Sequence, residues 1–300
     1  MNNGFKLSPS QLVTYNFCPK KYYFRYVLNI KEPNSVHMVR GTILHKVIEN
    51  FYNTENLLAD IGDWHWDAKK FFAEMVRILD EEWAKIGAEY EDIFTNKEQK
   101  DEFYHETKDF LDFHSTKLAF ALHKKKSELD PDSRWYETEI KKHFFPKDRE
   151  AFIENDEIMG YIDKVINLYG NGVAIIDFKT SKSGLPSFID EGHLLQLKAY
   201  AYLWNLKHGQ VPKFVGIEYM RSGNTIFYPI TKQDLDEVDK LITKLKEARD
   251  TNNFLVNRQR LCDWCYYKDR CLKLTEQERH KEEDSNGMES LVSPSEIKGE

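Results

Sequence analysis

Five side chains in the second half of the sequence have the types and spacing to act on a phosphodiester: Asp163, Asp177, Lys179, Gln196 and Tyr200. Asp163 and Asp177 fall on the arms of a predicted hairpin, Ile158 to Leu168 and Val173 to Phe178, about the turn Tyr169-Gly170-Asn171-Gly172. Asn-Gly between two apolar runs is a strong hairpin signal. If the arms pair about that turn, the two carboxylates lie side by side across the sheet. Converging carboxylates repel unless a cation sits between them, and hard oxygen ligands suit Mg²⁺ or Mn²⁺. Lys179 follows Asp177 by two residues and leaves the strand on the same face. There it could orient or help deprotonate an attacking water, or stabilise charge at the phosphate. Gln196 and Tyr200 are four apart on a predicted helix and share one face. His45 lies on another, in Arg40-Gly41-Thr42-Ile43-Leu44-His45. Singly, each signal has a plain structural explanation: a surface Asp–Lys pair, a routine helix face, a satisfied histidine.

A second set of residues could hold an inorganic centre. The four cysteines are Cys18, Cys262, Cys265 and Cys271, three of them in a C-x2-C-x5-C cluster far from the first. The first ten residues contain no apolar run of signal-peptide length, so a cytoplasmic location with reduced thiols is the expectation. Clustered cysteines then point to metal or catalysis rather than to disulfides. Four thiolates could bind tetrahedral zinc or an iron–sulfur cluster, and the spacing alone leaves both open.

The elements that must position these groups fall into four stretches. Ser8-Pro9-Ser10-Gln11 reads as an N-cap and first turn. The helix it opens is expected to carry Cys18 and then Lys20-Lys21-Tyr22-Tyr23-Phe24-Arg25-Tyr26, which could follow a DNA backbone and stack on bases, or whose rings, on an amphipathic helix, mostly pack inward. Residues 1–31 hold five basic side chains and no acidic one, a local patch suited to phosphates although the whole chain carries a net charge of −7. From Arg40 to about Lys126 the pattern is helical and charged, a bundle or insertion. From Trp135 it turns strand-like, with Tyr136 to Phe145 as a strand carrying Glu139. A helix follows from Gly192, strands at Phe214 to Tyr219 and Asn224 to Pro229, and a helix from Thr231 to about Asp250. The last 25 residues, eight acidic and three basic, read as a disordered tail. No run of 18 apolar residues occurs, so no membrane span is expected.

In combination and order, these elements resemble the RecB-type branch of the PD-(D/E)XK nuclease superfamily. The resemblance is carried by His45 in Gly41-Thr42-x-x-His45, Asp163 in Gly160-Tyr161-Ile162-Asp163, Asp177-x-Lys179 and Gln196-x-x-x-Tyr200. The cysteine frame is similar to the iron–sulfur subgroup, which includes CRISPR-associated RecB-like exonucleases and AddB-type nuclease domains. It implies an α/β fold with a mixed central sheet flanked by helices, a helical insertion, and a [4Fe-4S] cluster joining the termini. One nuclease domain would span 1–274: helical part and insertion to about 134, sheet core about 135–250, cluster loop 257–274 with Cys18, then the tail 275–300. His45, Asp163, Asp177 and the Phe178 carbonyl would bind the divalent metal, Lys179 would be catalytic, and Gln196 and Tyr200 would complete the site. Glu139 would be an extra supporting acid. The implied activity is DNA hydrolysis at single strands or ends, in recombination, repair, phage DNA processing or CRISPR adaptation. No G-x-x-x-x-G-K-[ST] motif occurs, so a helicase, or a recombination or integrase partner, would be another chain. The rival reading is an inactive nucleic-acid-binding or assembly factor that keeps the fold and cluster.

Overall fold

The computed structural model describes residues 6–168, 170, 172–181 and 190–272. The chain forms two compact units. One comprises residues 1–13 and 33–244, the other Thr14–Glu32 and the chain from Leu245 onward. The proposed tail lies outside the described residues, as do Tyr169 and Asn171 of the hairpin turn.

Eight α-helices are described: α1 Pro9–Phe17, α2 Pro19–Tyr22, α3 Val36–Phe51, α4 Trp64–Glu89, α5 Lys97–Glu128, α6 Tyr136–Phe144, α7 Glu191–His208 and α8 Lys232–Asp250. The strands are β1 Asp148–Glu154, β2 Met159–Asn167, β3 Val173–Lys179, β4 Phe214–Tyr219 and β5 Thr225–Pro229.

In the larger unit the five strands form one sheet in the order β1-β2-β3-β4-β5. Only β3 and β4 run parallel, and α7 is the crossover between them. The remaining neighbours are antiparallel. This is the mixed sheet flanked by helices that the sequence implied. The β2–β3 connection closes with Leu168 N–H donating to the Gly172 carbonyl at 2.9 Å. Gly170 and Gly172 have φ of +83° and +90°, a backbone that side chains other than glycine resist. Strand β3 is buried along nearly its whole length and reads as one apolar run, Val173-Ala-Ile-Ile, before the polar end at Asp177.

Helix α7 lies across β1 to β4 on one face. It starts at Asp190, whose carboxylate accepts from His193 N–H, and ends at Gly209 in the left-handed region. Gly160 of β2 permits close packing here, because a Cβ would meet Leu203 of α7 and Pro9 of α1 at 3.2 Å. The other face is covered by α3 to α6. Val47 and Phe51 of α3, Phe71 and Met75 of α4, Leu111 of α5 and Phe144 of α6 form one buried cluster with Phe178 of the sheet. Truncating Phe51 or Phe71, both fully buried, would cost roughly 3–5 kcal/mol.

The segment Tyr136 to Phe145 is a helix rather than the expected strand. Tyr136, Ile140 and Phe144 recur every four residues, so a helix buries Ile140 and Phe144 together. Glu137 and Glu139 in its first turn and Lys141, Lys142 and His143 in its last suit the helix dipole. Edge strand β1 instead forms from the charged run Asp148-Arg-Glu-Ala-Phe-Ile-Glu.

The smaller unit also departs from expectation at one point. The first helix stops at Phe17, and Cys18 takes an extended conformation (φ −160°, ψ 111°) as the N-cap of α2. The cause is Pro19, which disfavours helical backbone at the residue before it. A π-type turn, Tyr23–Val27, follows. Tyr22 stacks on Phe254 and Phe24 on Tyr267, with ring centroids 5.8 and 5.4 Å apart. Those rings of the basic–aromatic run therefore pack inward.

Candidate active site and cysteine site

Three strands bring three carboxylates into one row. Arg149 pairs with Lys164 and Ala151 with Ile162, which brackets Glu150 opposite Asp163. Lys164 pairs with Ile176, so one step on Asp163 faces Asp177. Asp163 and Asp177 are both buried. Asp163 Oδ2 accepts a 2.8 Å hydrogen bond from the Phe178 amide, fixing the carboxylate on the β3 backbone. Burial and then the charge of Asp163 push the Asp177 carboxyl up to about 6, against the opposing pull of Lys179.

Lys179 answers that charge. Its ammonium lies 2.6 Å from Asp177 Oδ2 and donates to Gln196 Oε1 at 3.2 Å. Gln196 Nε2 in turn donates to Tyr200 Oη at 3.1 Å. The lysine head is thereby held between a strand and a helix. Burial, reinforced by the charges of Asp177 and Asp163, keeps the Tyr200 hydroxyl protonated well above its ordinary range.

His45 enters from α3. Nε2 is 3.3 Å from the Phe178 carbonyl oxygen, while Nδ1 is 3.4 Å from Asp163 and 3.6 Å from Glu150. Burial would lower its pKa, but hydrogen bonds to Asp163 and Glu150 and the charges of Asp163 and Asp177 push it up to about 10. Without a cation these carboxylates favour the imidazolium, and an ion bound among them would take the place of that proton. All six positions expected of the site besides Phe178 itself, namely His45, Asp163, Asp177, Lys179, Gln196 and Tyr200, are thus joined by contacts in one unit.

Over residues 6–272 the sequence matches the family model for the PD-(D/E)XK nuclease superfamily. The chain belongs to this superfamily. No curated protein matches it. Membership implies a metal-dependent nuclease, a hydrolase of phosphodiester bonds, and members of the superfamily generally use divalent metals.

The residues of this PD-(D/E)XK protein suit such an ion. Ligand atoms of His45, Glu150 and Asp163 all lie within 4.8 Å of one another. Together with Glu49, Arg149 and Phe178 they border a cavity of about 10 Å³, room for one water-sized guest. Carboxylates, a backbone carbonyl and one imidazole form a hard donor set suited to a small divalent cation.

Glu150 is the site residue that the sequence did not reveal. It sits at φ +43°, a conformation uncommon for a side chain larger than glycine, and strain of this kind gathers at functional sites. Its segment lacks an apolar run, and the one available signal was position: a short alternating stretch, Ala151 and Ile153, just upstream of Gly160. Glu139, the acid expected on the preceding strand, is instead on α6 and pairs with Lys142 at 2.9 Å.

Behind Phe178 lies a buried ionic group. Glu218, the β4 register partner of Phe178, contacts Lys117 at 2.8 Å, His114 at 3.2 Å and Lys164 at 3.8 Å. Burial raises its carboxyl, but Lys164, His114 and Lys117 together hold it well below the usual range. The His114 ring meets Phe178 edge-on at 6.0 Å and the Lys164 ammonium lies 5.6 Å from its centroid. These contacts fix the residue whose carbonyl faces His45 and whose amide holds Asp163.

In the smaller unit Cys18, Cys262, Cys265 and Cys271 line one cavity of about 280 Å³. None is in a disulfide. Burial raises the Cys271 thiol, and the charges of Cys18, Cys262 and Cys265 raise it further, as expected of sulfurs that face one another. The basic run nearby is partly neutralised. Glu32, one residue beyond the acid-free segment, pairs with Lys21 at 3.1 Å and Arg25 at 3.3 Å. Among the described residues, no helix is long and apolar enough to cross a membrane.

Proposed function

We propose that this protein is a metal-dependent deoxyribonuclease of the RecB-type branch, acting as an exonuclease on single strands or DNA ends. The observation that carries the reading is the unbroken contact series Asp163–Phe178–His45 and Asp177–Lys179–Gln196–Tyr200, formed by residues up to 155 positions apart in the chain. A scaffold protein has no use for two buried, mutually repelling carboxylates with a lysine held beside them.

His45, Asp163, Asp177, Glu150 and the Phe178 carbonyl would hold Mg²⁺ or Mn²⁺. When bound, that ion supplies charge neutralisation at the scissile phosphate and a lowered pKa for water. Lys179, its ammonium positioned by Gln196 and Asp177, would orient the attacking water along the line to phosphorus and stabilise charge at the phosphate. Tyr200 stays protonated and acts through Gln196 as a positioning residue.

A [4Fe-4S] cluster held by Cys18, Cys262, Cys265 and Cys271 completes the proposal. Four thiolates also suit tetrahedral zinc, and what favours the cubane is the similarity of the cysteine frame, one upstream and C-x2-C-x5-C downstream, to the iron–sulfur subgroup.

The test is incubation of anaerobically purified protein with 5′- and 3′-end-labelled single- and double-stranded DNA and Mg²⁺ or Mn²⁺. Progressive release from an end, abolished by EDTA, is expected. No cleavage by iron-replete protein with either metal overturns the nuclease reading in favour of a binding factor.

A further inference from the structure

The turn between the first two clustered cysteines exposes a large aromatic side chain. Trp264, the last residue of the short helical turn Arg260–Trp264, is 86% exposed, and Tyr266 two residues on is 56% exposed. Tyr267, next in sequence, is buried and donates to the Ile30 carbonyl at 2.6 Å. The loop is therefore anchored through one ring while it presents two others to solvent. Tryptophan is highly buried on average, and Trp264 is the most exposed large hydrophobic side chain among the described residues, its indole face open on an anchored loop.

Charge identifies the class of ligand. The described part of the smaller unit holds ten lysine and arginine side chains against five acidic ones, net +5 within a chain of net −7. Arg258, Arg260 and Arg270 are exposed and form no ion pair with any described residue. Lys268, by contrast, is taken up by Asp263 at 2.7 Å. Uncommitted guanidinium groups within a few residues of exposed rings along the chain are the composition of surfaces that track a phosphate backbone and stack successive bases. Inside a duplex each base face is covered by its neighbours and only the terminal pair is open, so stacking of successive bases selects a single strand.

We propose that the cysteine loop of the smaller unit is a single-stranded nucleic-acid platform, with Trp264 stacked on a base and Arg258, Arg260 and Arg270 on the phosphates. This rests on the nuclease reading for the identity of the ligand. Ligation of the flanking Cys262 and Cys265 would hold the indole in place, so that little ordering remains to be done on binding.

The test uses the full chain in EDTA, where no cleavage occurs, and anisotropy of a labelled oligo(dT). Trp264→Ala should weaken binding about 5- to 150-fold, the ratio that corresponds to ~1–3 kcal/mol for one stacked base. Trp264→Phe should recover much of the loss. Replacing Arg258, Arg260 and Arg270 by Ser should flatten the log K against log salt slope by about 2, at ~0.7 per phosphate contact. Unaltered absorbance of the cysteine site would show that the loop is intact. Equal oligo(dT) affinity for wild type and Trp264→Ala, with an unchanged salt slope for the triple variant, overturns the proposal. So does a Trp264→Ala chain that keeps full oligo(dT) affinity but changes its sedimentation, since the ring would then serve a protein contact. Trp264-dependent binding by a chain that never cleaves DNA would support the platform while removing the nuclease reading.

Discussion

Asp177 and Lys179 leave the end of β3 on one face, with the lysine ammonium 2.6 Å from the carboxylate. Gln196 is the second contact of that ammonium, at 3.2 Å. A lysine used only to neutralise Asp177 would not need the amide. Lys179→Ala should lower the cleavage rate by about 10²-fold or more, the ordinary contribution of a group that transfers a proton or stabilises charge. Binding of uncleaved DNA in EDTA should change little. Gln196→Ala should show a smaller defect, because it removes the support and not the charge. Single-turnover rates on end-labelled DNA measure both, and near wild-type cleavage by Lys179→Ala would remove its assigned role.

Asp177 ties function to stability. Its carboxyl titrates near 6 in the metal-free fold against 3.8 as a free group, because burial and Asp163 disfavour its charge. Between those values the folded state binds more protons than the unfolded one, so this group makes stability fall as pH rises through the window. Asp177→Asn has no such slope. Metal-free Asp177→Asn should therefore be more stable than wild type at pH 8, by about 3 kcal/mol, while losing cleavage. Urea denaturation in EDTA at pH 5 and pH 8 measures it. A variant less stable than wild type at pH 8 would show that the ion pair with Lys179 outweighs the repulsion.

The limits of the sequence are clearest at β1. The contacts among Asp163, Asp177, Lys179, Gln196 and Tyr200 were foreseeable because these residues interrupt strongly apolar or helical runs, and because the antiparallel pairing of β2 with β3 sets Asp163 opposite Asp177. Glu150 was not, because an edge strand is half solvated and its composition looks like a loop. Tyr136 to Phe145 was misread because aromatic and β-branched residues alternate over a few positions, whereas the four-residue recurrence of Tyr136, Ile140 and Phe144 is the spacing that packing uses. Cys18 fell on the expected helix only because the restriction that Pro19 places on its predecessor went unweighed. Glu32 was overlooked because a count that ends at residue 31 omits the next side chain, which neutralises Lys21 and Arg25.

Glu150 tests the metal set independently of activity. The carboxylate belongs to the group, with His45 and Asp163, that could hold a cation, while its φ of +43° is a conformation that glycine adopts freely. Glu150→Gly should stabilise the metal-free fold slightly, as relief of strain worth about 1 kcal/mol would. The same change should weaken Mn²⁺ binding about tenfold or more, measured by calorimetry. Glu150→Gln should weaken Mn²⁺ equally and leave metal-free stability near wild type. Unchanged Mn²⁺ affinity in both variants would exclude Glu150 from the ligand set.

Cys18 tests whether the two chain segments of the smaller unit share one centre. Cys18 caps α2 in extended form, and all four cysteines border the same cavity. The segments are already tied by hydrogen bonds: Lys20 N–H to the Leu255 carbonyl at 3.1 Å, and the Asn257 and Gln259 amides to the Phe17 carbonyl at 2.9 and 3.0 Å. Such bonds contribute only about 1 kcal/mol each. A centre bound only by the folded state adds its binding free energy to folding. Cys18→Ser should therefore bleach the iron–sulfur absorbance as fully as Cys265→Ser, though the two lie 247 positions apart. It should also open the segment around Arg258 to protease. Protection should be lost in step with iron content, measured on anaerobically purified protein. Full colour and full iron in Cys18→Ser would show that the cluster draws its fourth ligand from elsewhere, and zinc in place of iron would return the site to the alternative that cysteine spacing alone leaves open.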